Sequence, residues 1–246
     1  MGHPPCQSVS VAETGGPALA SRDYRFHVPI YSVTEASSYL GVPRTTLDRW
    51  AQGDATDPII TWLRPSRARE PSLPFVGLAE GLVLSAFRKL TPLRRLRPAL
   101  TILKQEMGIE HALASRRLFF DGANLLWDMS NSAAVDEDVR DAVRELIRVD
   151  NRQGVFHEVV RDYLQLITYD EAYAEQVRLP QYKKAVVVAD PLHSYGHPYF
   201  VHGGIRLQDV LSRARAGEPA KDIADDYGVP IGEVREAVRV AGRRAA

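Results

Sequence analysis

Arg44, Thr45, Thr46 and Arg49 bring two guanidinium groups and two hydroxyls together in a stretch, Arg44 to Ala51, that reads as a short helix. An arginine can bond a guanine edge bidentately, and a hydroxyl can donate to or accept from several base edges. Donors of this kind at the start of an exposed helix fit the reading of a DNA major groove. A second chemistry is open to His193, His197 and His202 with Asp190, since imidazoles and a carboxylate can hold zinc or iron when they converge. These four lie on a segment broken by Gly196, Pro198 and the pair Gly203-Gly204, and a turn-rich loop accounts for the same residues, so no metal site is assigned. The sequence has no phosphate-cradling glycine loop, nucleophile elbow or His-Glu-x-x-His, and its one cysteine, Cys6, has no plausible base beside it. No catalytic residue and no cofactor are expected.

The arginine-bearing helix needs a partner to hold it. Ser32 to Gly53 predicts a short helix, a tight turn and a second helix, with Thr34 as the cap of the first. Ser37 is small enough for close helix packing, Gly41 supplies the turn, and Leu47 fills the space between the helices. The second helix buries Leu47 and Trp50 and turns Arg44, Thr45, Asp48 and Arg49 outward. The same offsets occur in helical hairpins that bind nothing, so charge is the next test. From Leu63 to Arg97, Arg64, Arg67, Arg69, Arg88, Lys89, Arg94, Arg95 and Arg97 face only Glu70 and Glu80, a local excess of six positive charges in a chain with no net charge. Such an excess just after a recognition helix suits phosphate contacts, which fix register without carrying sequence information. Arg64, Arg67 and Arg69 therefore join the expected DNA-binding set.

The wider chain bounds the answer. Its 246 residues and 45% hydrophobic composition can bury a core large enough for two small domains. With Cys6 alone there is neither a disulfide framework nor a thiolate metal site, which fits a reducing compartment. No apolar run is long enough for a membrane span, so a soluble cytoplasmic protein is expected. Residues 1–23 read as a flexible tail, 24–180 as a helix-turn-helix domain with a middle helical and β region, and 181–246 as a C-terminal helical module, with the boundary near Pro180. Within the middle region, Pro58 to Leu63 predicts a strand and Val76 to Leu90 a helix. A further helix ends at Gly108 and either kinks at Pro98 or starts there. Arg117 to Phe120 and Leu125 to Trp127, flanking Asp121-Gly122, predict a β-hairpin. Ala185 to Ala189 is strand-like.

Ala224, Gly228 and Val234 repeat the spacing of Ser37, Gly41 and Leu47, and the Gly-Val-Pro turn recurs. Asp222, Asp225, Asp226, Glu233 and Glu236 would repel phosphate, so this copy is expected to bind protein instead. Leu207, Val210, Leu211, Val234 and Val238 fall at helical spacing and form either a core or a dimer seam. The fold class expected is mainly α with small β elements: an N-terminal helix-turn-helix domain with a hairpin or wing, and a small helical C-terminal domain with a second helix-turn-helix-like unit.

Asp190-Pro191, Gly196, Pro198, Gly203-Gly204-Ile205-Arg206, Ala216-Gly217-Glu218, Ile223 to Tyr227 and the Glu233 to Arg239 helix together resemble the small C-terminal module shared by a class of bacterial VapB-type antitoxins. The likeness covers about sixty residues. Gly204 departs from it, because the family usually has threonine there. Ser32 to Gly53 looks like the helix-turn-helix of MerR-type regulators, and Phe75 to Asp128 resembles the middle region of longer antitoxins of the class. The resemblance implies an antitoxin that inhibits a co-encoded PIN-like ribonuclease toxin and, as a homodimer, represses its own operon by binding operator DNA. Two other readings are open at this point: a stand-alone MerR-like transcriptional regulator without a toxin, and a metal-dependent enzyme built on the His193 to His202 loop.

Overall fold

The computed structural model describes residues 23–53, 58–67, 70–150 and 153–245. Apart from Asp23, the expected tail lies outside the described residues, as do Cys6 and Arg69. Among the described residues there are eleven α-helices and six short strands. No helix among them is long and apolar enough to cross a membrane.

Helix α4 (Phe75–Phe87) is the axis of the fold, and every one of its residues is buried. Its composition explains this: apolar all round except for Glu80 and Ser85, which are hydrogen-bonded to Thr61 N–H and the Gly81 carbonyl, it must be surrounded rather than faced on one side. Two glycines let its neighbours come close. A Cβ on Gly77 would lie 2.3 Å from the Thr61 carbonyl oxygen, and one on Gly81 would lie 2.7 Å from the Leu40 side chain. Around α4 stand α1 (Tyr24–His27), α2 (Val33–Leu40), a 3-10 turn at Ala112–Ala114 and α8 (Glu158–Leu164). Helices α5 (Leu93–Met107), α6 (Arg116–Asn131) and α7 (Glu137–Arg144) pack on one another beside the hairpin β1 (Ile147–Asp150) and β2 (Gln153–Phe156).

Four strands, β3 (Ile167–Tyr169), β4 (Ala174–Arg178), β5 (Val187–Ala189) and β6 (Tyr199–Phe200), form one antiparallel sheet in chain order. Helices α9 (Leu207–Arg215), α10 (Ala220–Tyr227) and α11 (Ile231–Ala245) complete the chain. The boundary expected near Pro180 falls inside this sheet, because β4 pairs with β5 across it. Gln181 Nε2 also donates to the carbonyls of Ser38 and Tyr39 in α2, tying the two halves together. A division into 24–180 and 181–246 therefore does not describe two separately packed bodies.

Other local expectations are corrected. Arg117 to Trp127 is part of α6, not a hairpin; Ser115 caps it by accepting from the Leu118 N–H, and Leu118, Gly122, Ala123, Leu126 and Met129 face inward at helical spacing. The Asp121-Gly122 pair is a turn signal of two residues, and the sixteen-residue apolar period overrides it. Pro58 to Leu63 forms no regular strand; Ile59 and Ile60 are buried, with their N–H groups donated to the Trp50 carbonyl. Helix α5 starts at Leu93 and runs through Pro98, its sixth residue, which has no N–H to give the Arg94 carbonyl. Strand β5 covers only the last three residues of the Ala185 to Ala189 run.

The second helix-turn-helix-like unit is present. Gly228 ends α10 at φ 63°, and its N–H and that of Val229 both reach the Ala224 carbonyl. Leu207, Val210, Leu211 and Val234 are buried in the chain's own core, while Val238 is exposed. The first four therefore offer no surface to a second chain, and of this set only Val238 is at the surface. Glu233 and Glu236, expected on the outside, are also corrected: both are buried. Glu236 accepts from the backbone N–H groups of Lys183, Lys184 and Ala185, fixing the turn that leads into β5. Burial works to raise the Glu236 pKa, but those three donors together with Arg239 outweigh it and hold the carboxyl below its ordinary value. A depressed carboxylate stabilises the fold above its unfolded pKa, and that contribution is lost as pH falls through the folded value. Glu236→Gln is thus expected to lower the melting temperature at pH 7, by a margin that narrows as the pH of the melt is taken down through the acid range. Parallel loss at every pH would show that the charge is not what matters.

Candidate nucleic-acid interface

The helix-turn-helix is built as its spacing requires, with one change at its start. Ser32, not Thr34, caps α2: its hydroxyl accepts from the Glu35 N–H while the Glu35 carboxylate accepts from the Ser32 N–H, a closed capping box. Gly41 ends α2 in the left-handed region at φ 71°, where a side chain is strained, and its N–H and that of Val42 both donate to the Ser37 carbonyl. The turn delivers α3 (Arg44–Gln52) with Leu47, Trp50 and Ala51 buried beneath it. Arg44, Thr45 and Arg49 are exposed and Thr46 is half-buried.

Arg44 lies 3.5 Å from Asp48, one turn on, and its side chain is 67% exposed. An exposed pair of this kind is worth about 0–1 kcal/mol, so it does not sequester the guanidinium. No side chain caps the N-terminus of α3, which begins after Pro43. Its first N–H groups and the positive end of its dipole lie beside Arg44, an arrangement that favours a phosphate.

The segment after α3 folds back as a wing-like loop. Leu63 N–H donates to the Ser72 carbonyl, and Ile30, Tyr31, Ser72 and Leu73 exchange backbone hydrogen bonds around the Tyr31–Leu73 bridge. Arg64 and Arg67 are exposed on this loop, which the Glu70 carboxylate closes by accepting from the Arg67 N–H. A cleft of about 360 Å³ separates loop from helices, with Arg44 and Asp48 on one wall and Trp62 and Glu70 on the other.

The eight-residue basic cluster does not form one surface. Arg88 joins the face of α3, its guanidinium 5.6 Å from the Trp50 ring centroid. Lys89 instead lies over Tyr163 in α8, and Arg95 pairs with Glu145 at the end of α7 at 2.8 Å. What sequence spacing could not supply was the direction in which α4 and α5 carry these residues away. The indole of Trp50 is the signal that places Arg88, since a buried aromatic under a helix edge offers a long cation a face to stack on.

Residues 29–100, from the approach to α2 through the first half of α5, match the family described as "Putative DNA-binding HTH domain". The chain is 43% identical over 228 residues to "Putative antitoxin VapB45" of Mycobacterium tuberculosis (strain ATCC 25618 / H37Rv), covering 88% of this chain and 95% of that protein. It belongs to the VapB-type antitoxins. The crystal structure of Rv2018 from Mycobacterium tuberculosis is similar in fold, with a TM-score of 0.78 and 45% identity over 87% of this chain and 99% of that one. For this VapB-type chain the likeness therefore runs through both the helix-turn-helix region and the C-terminal module.

The histidines of the C-terminal module go separate ways. His193 Nδ1 lies 2.7 Å from the buried Asp190, and His202 Nδ1 lies 2.6 Å from the buried Glu233. Among the described residues no group of three histidine, cysteine or acidic side chains is placed to hold a metal ion. In this VapB-type antitoxin Asp190 instead organises its own loop, accepting from the Leu192 N–H and from Gln176 Nε2.

Proposed function

We propose that this chain represses its own operon as a homodimer that lays α3 in the major groove of operator DNA, and that it neutralises a co-encoded PIN-like ribonuclease toxin without catalysing a reaction itself. The observation that carries the DNA half is the exposed row Arg44, Thr45 and Arg49 on a helix whose other face is fixed in the core. Arg64 and Arg67, exposed on the loop after α3, with Arg69 in the same loop sequence, and the exposed Arg88 beside Trp50 would suit phosphates. Membership of an antitoxin family supports the toxin half and a cytoplasmic site of action. Two-fold readers of this kind place their helices roughly 34 Å apart on a palindromic site, which sets the operator spacing.

The test is made in cells carrying the neighbouring toxin gene under a separate promoter and a reporter fused to the DNA upstream of this gene. Expression of the chain is expected to restore growth and to silence the reporter. Growth restored with an unaffected reporter would overturn the repressor half. A silenced reporter with continued arrest would overturn the toxin half.

A further inference from the structure

Helix α11 of the second helix-turn-helix-like unit turns its acids inward and its bases outward. Its acidic residues are Glu233 and Glu236, and both are buried. Glu236 accepts from the N–H groups of Lys183, Lys184 and Ala185, and Glu233 meets His202. Among the described side chains, every charged group that α11 exposes is therefore basic: Arg235, Arg239 and Arg243. A spacing of four places them on one face, in a row about 12 Å long at 1.5 Å per residue. The opposite face is fixed, with Val234 and Ala237 fully buried.

The positive surface continues beyond the helix. The turn held by Glu236 carries Lys183 and Lys184, both exposed, and Arg239 lies 3.4 Å from the same carboxylate. Among the described residues no ion pair holds Arg235, Arg243, Lys183 or Lys184. The acids nearby are engaged or stand on another helix. Arg213 pairs with Glu218 at 2.5 Å and with Asp226 at 2.7 Å. Asp222 and Asp225 are exposed on α10, so an anion is directed along α11 and the lysine turn rather than over α10. Gln181, two residues before Lys183, donates to the Ser38 and Tyr39 carbonyls in α2, so this turn is anchored to both helix-turn-helix units.

We infer that α11 and the Lys183–Lys184 turn grip the phosphate backbone of duplex DNA, giving each copy of the chain a second DNA contact besides α3. Duplex DNA carries one charge per about 1.7 Å of axis, so a row of this length meets several phosphates. Such contacts add affinity and fix register without reading bases. The matched DNA-binding family covers residues 29–100 and does not reach α11. The inference goes beyond the reading of α3 as the groove-entering helix and shares with it only the premise that the chain binds DNA.

The experiment uses the full chain in gel-shift titrations at several salt concentrations, on the DNA upstream of this gene and on a scrambled duplex. Arg235→Glu with Arg243→Glu is expected to weaken binding to both duplexes alike, by about tenfold or more, and to shrink the salt slope by about two. Lys183→Ala with Lys184→Ala, which keeps the backbone donors to Glu236, is expected to show the same pattern at an unchanged melting temperature. In an Arg44→Ala, Arg49→Ala background, salt-dependent binding to both duplexes is expected to remain and to be lost when the Arg235 and Arg243 changes are added. Wild-type affinity and salt slope in both α11-side variants overturns the inference. Loss of self-association with DNA binding intact would show that a second copy of this chain covers α11, which also overturns it. Tighter binding of single-stranded RNA than of either duplex, lost in the same variants, overturns the assignment to DNA. Loss of binding in the α11 variants but not in the Arg44→Ala, Arg49→Ala variant supports this inference and removes the reading of α3. A wild-type chain that binds neither duplex removes both.

Discussion

On the proposed function, replacing Arg44 and Arg49 together by alanine is expected to lower affinity for the DNA upstream of this gene by about thirtyfold or more at fixed salt, without changing the melting temperature. Each well-placed guanidinium on a base edge is worth about 1–3 kcal/mol of discrimination, and about 1.4 kcal/mol is one decade in affinity. Both side chains are exposed, so their removal leaves no cavity in the core. The variant should also discriminate less between operator and unrelated DNA, because base contacts carry the sequence information. Arg64→Ala or Arg67→Ala should behave differently: affinity falls on all sequences alike, and the salt slope shrinks by about one for each phosphate that is no longer neutralised. A gel-shift titration on operator and scrambled duplexes at several salt concentrations separates the two patterns.

Gly77→Ala is expected to destabilise the fold by about 2–4 kcal/mol, lowering the melting temperature by several degrees. The Cβ would sit 2.3 Å from a backbone oxygen, that of Thr61, which cannot swing aside as a side-chain tip could. Moving Thr61 also pulls its N–H from the buried Glu80 carboxylate and its hydroxyl from His111 Nδ1. Because the 58–63 segment leads into the loop carrying Arg64 and Arg67, the variant should lose DNA affinity as well as stability. Gly232→Ala is the control. That glycine lies in α11 with nothing near its Cβ position, so alanine there should be neutral or stabilising by up to about 1 kcal/mol. Thermal melts of both variants check the contrast.

The parts of the fold legible from sequence were those set by one glycine and its immediate neighbours. Ser37, Gly41 and Leu47 define a local geometry, and the same offsets at Ala224, Gly228 and Val234 recover the second unit from spacing alone. Readings failed where a short signal competed with a longer one. Asp121-Gly122 reads as a turn only if the helical period from Leu118 to Met129 is ignored. Residues whose direction depends on packing were also beyond reach. Glu233 and Glu236 read as solvent-facing acids, yet they share the inner face of α11 with Val234 and Ala237 and satisfy a backbone turn and a histidine there. The basic cluster divided for the same reason: α4 ends beside α3, whereas α5 leads toward α7, so neighbours in sequence part company in space. The candidate site itself was legible because exposed arginines on a short helix need no long-range contact to be recognised.

Guanine N7 methylation interference on the DNA upstream of this gene tests most directly whether α3 enters the major groove. Two patches of interfering guanines about one helical turn apart are expected with wild type, with one guanine in each patch losing its effect in the Arg44→Ala variant. Binding that is indifferent to methylation at every guanine, in wild type and variant alike, would contradict the account.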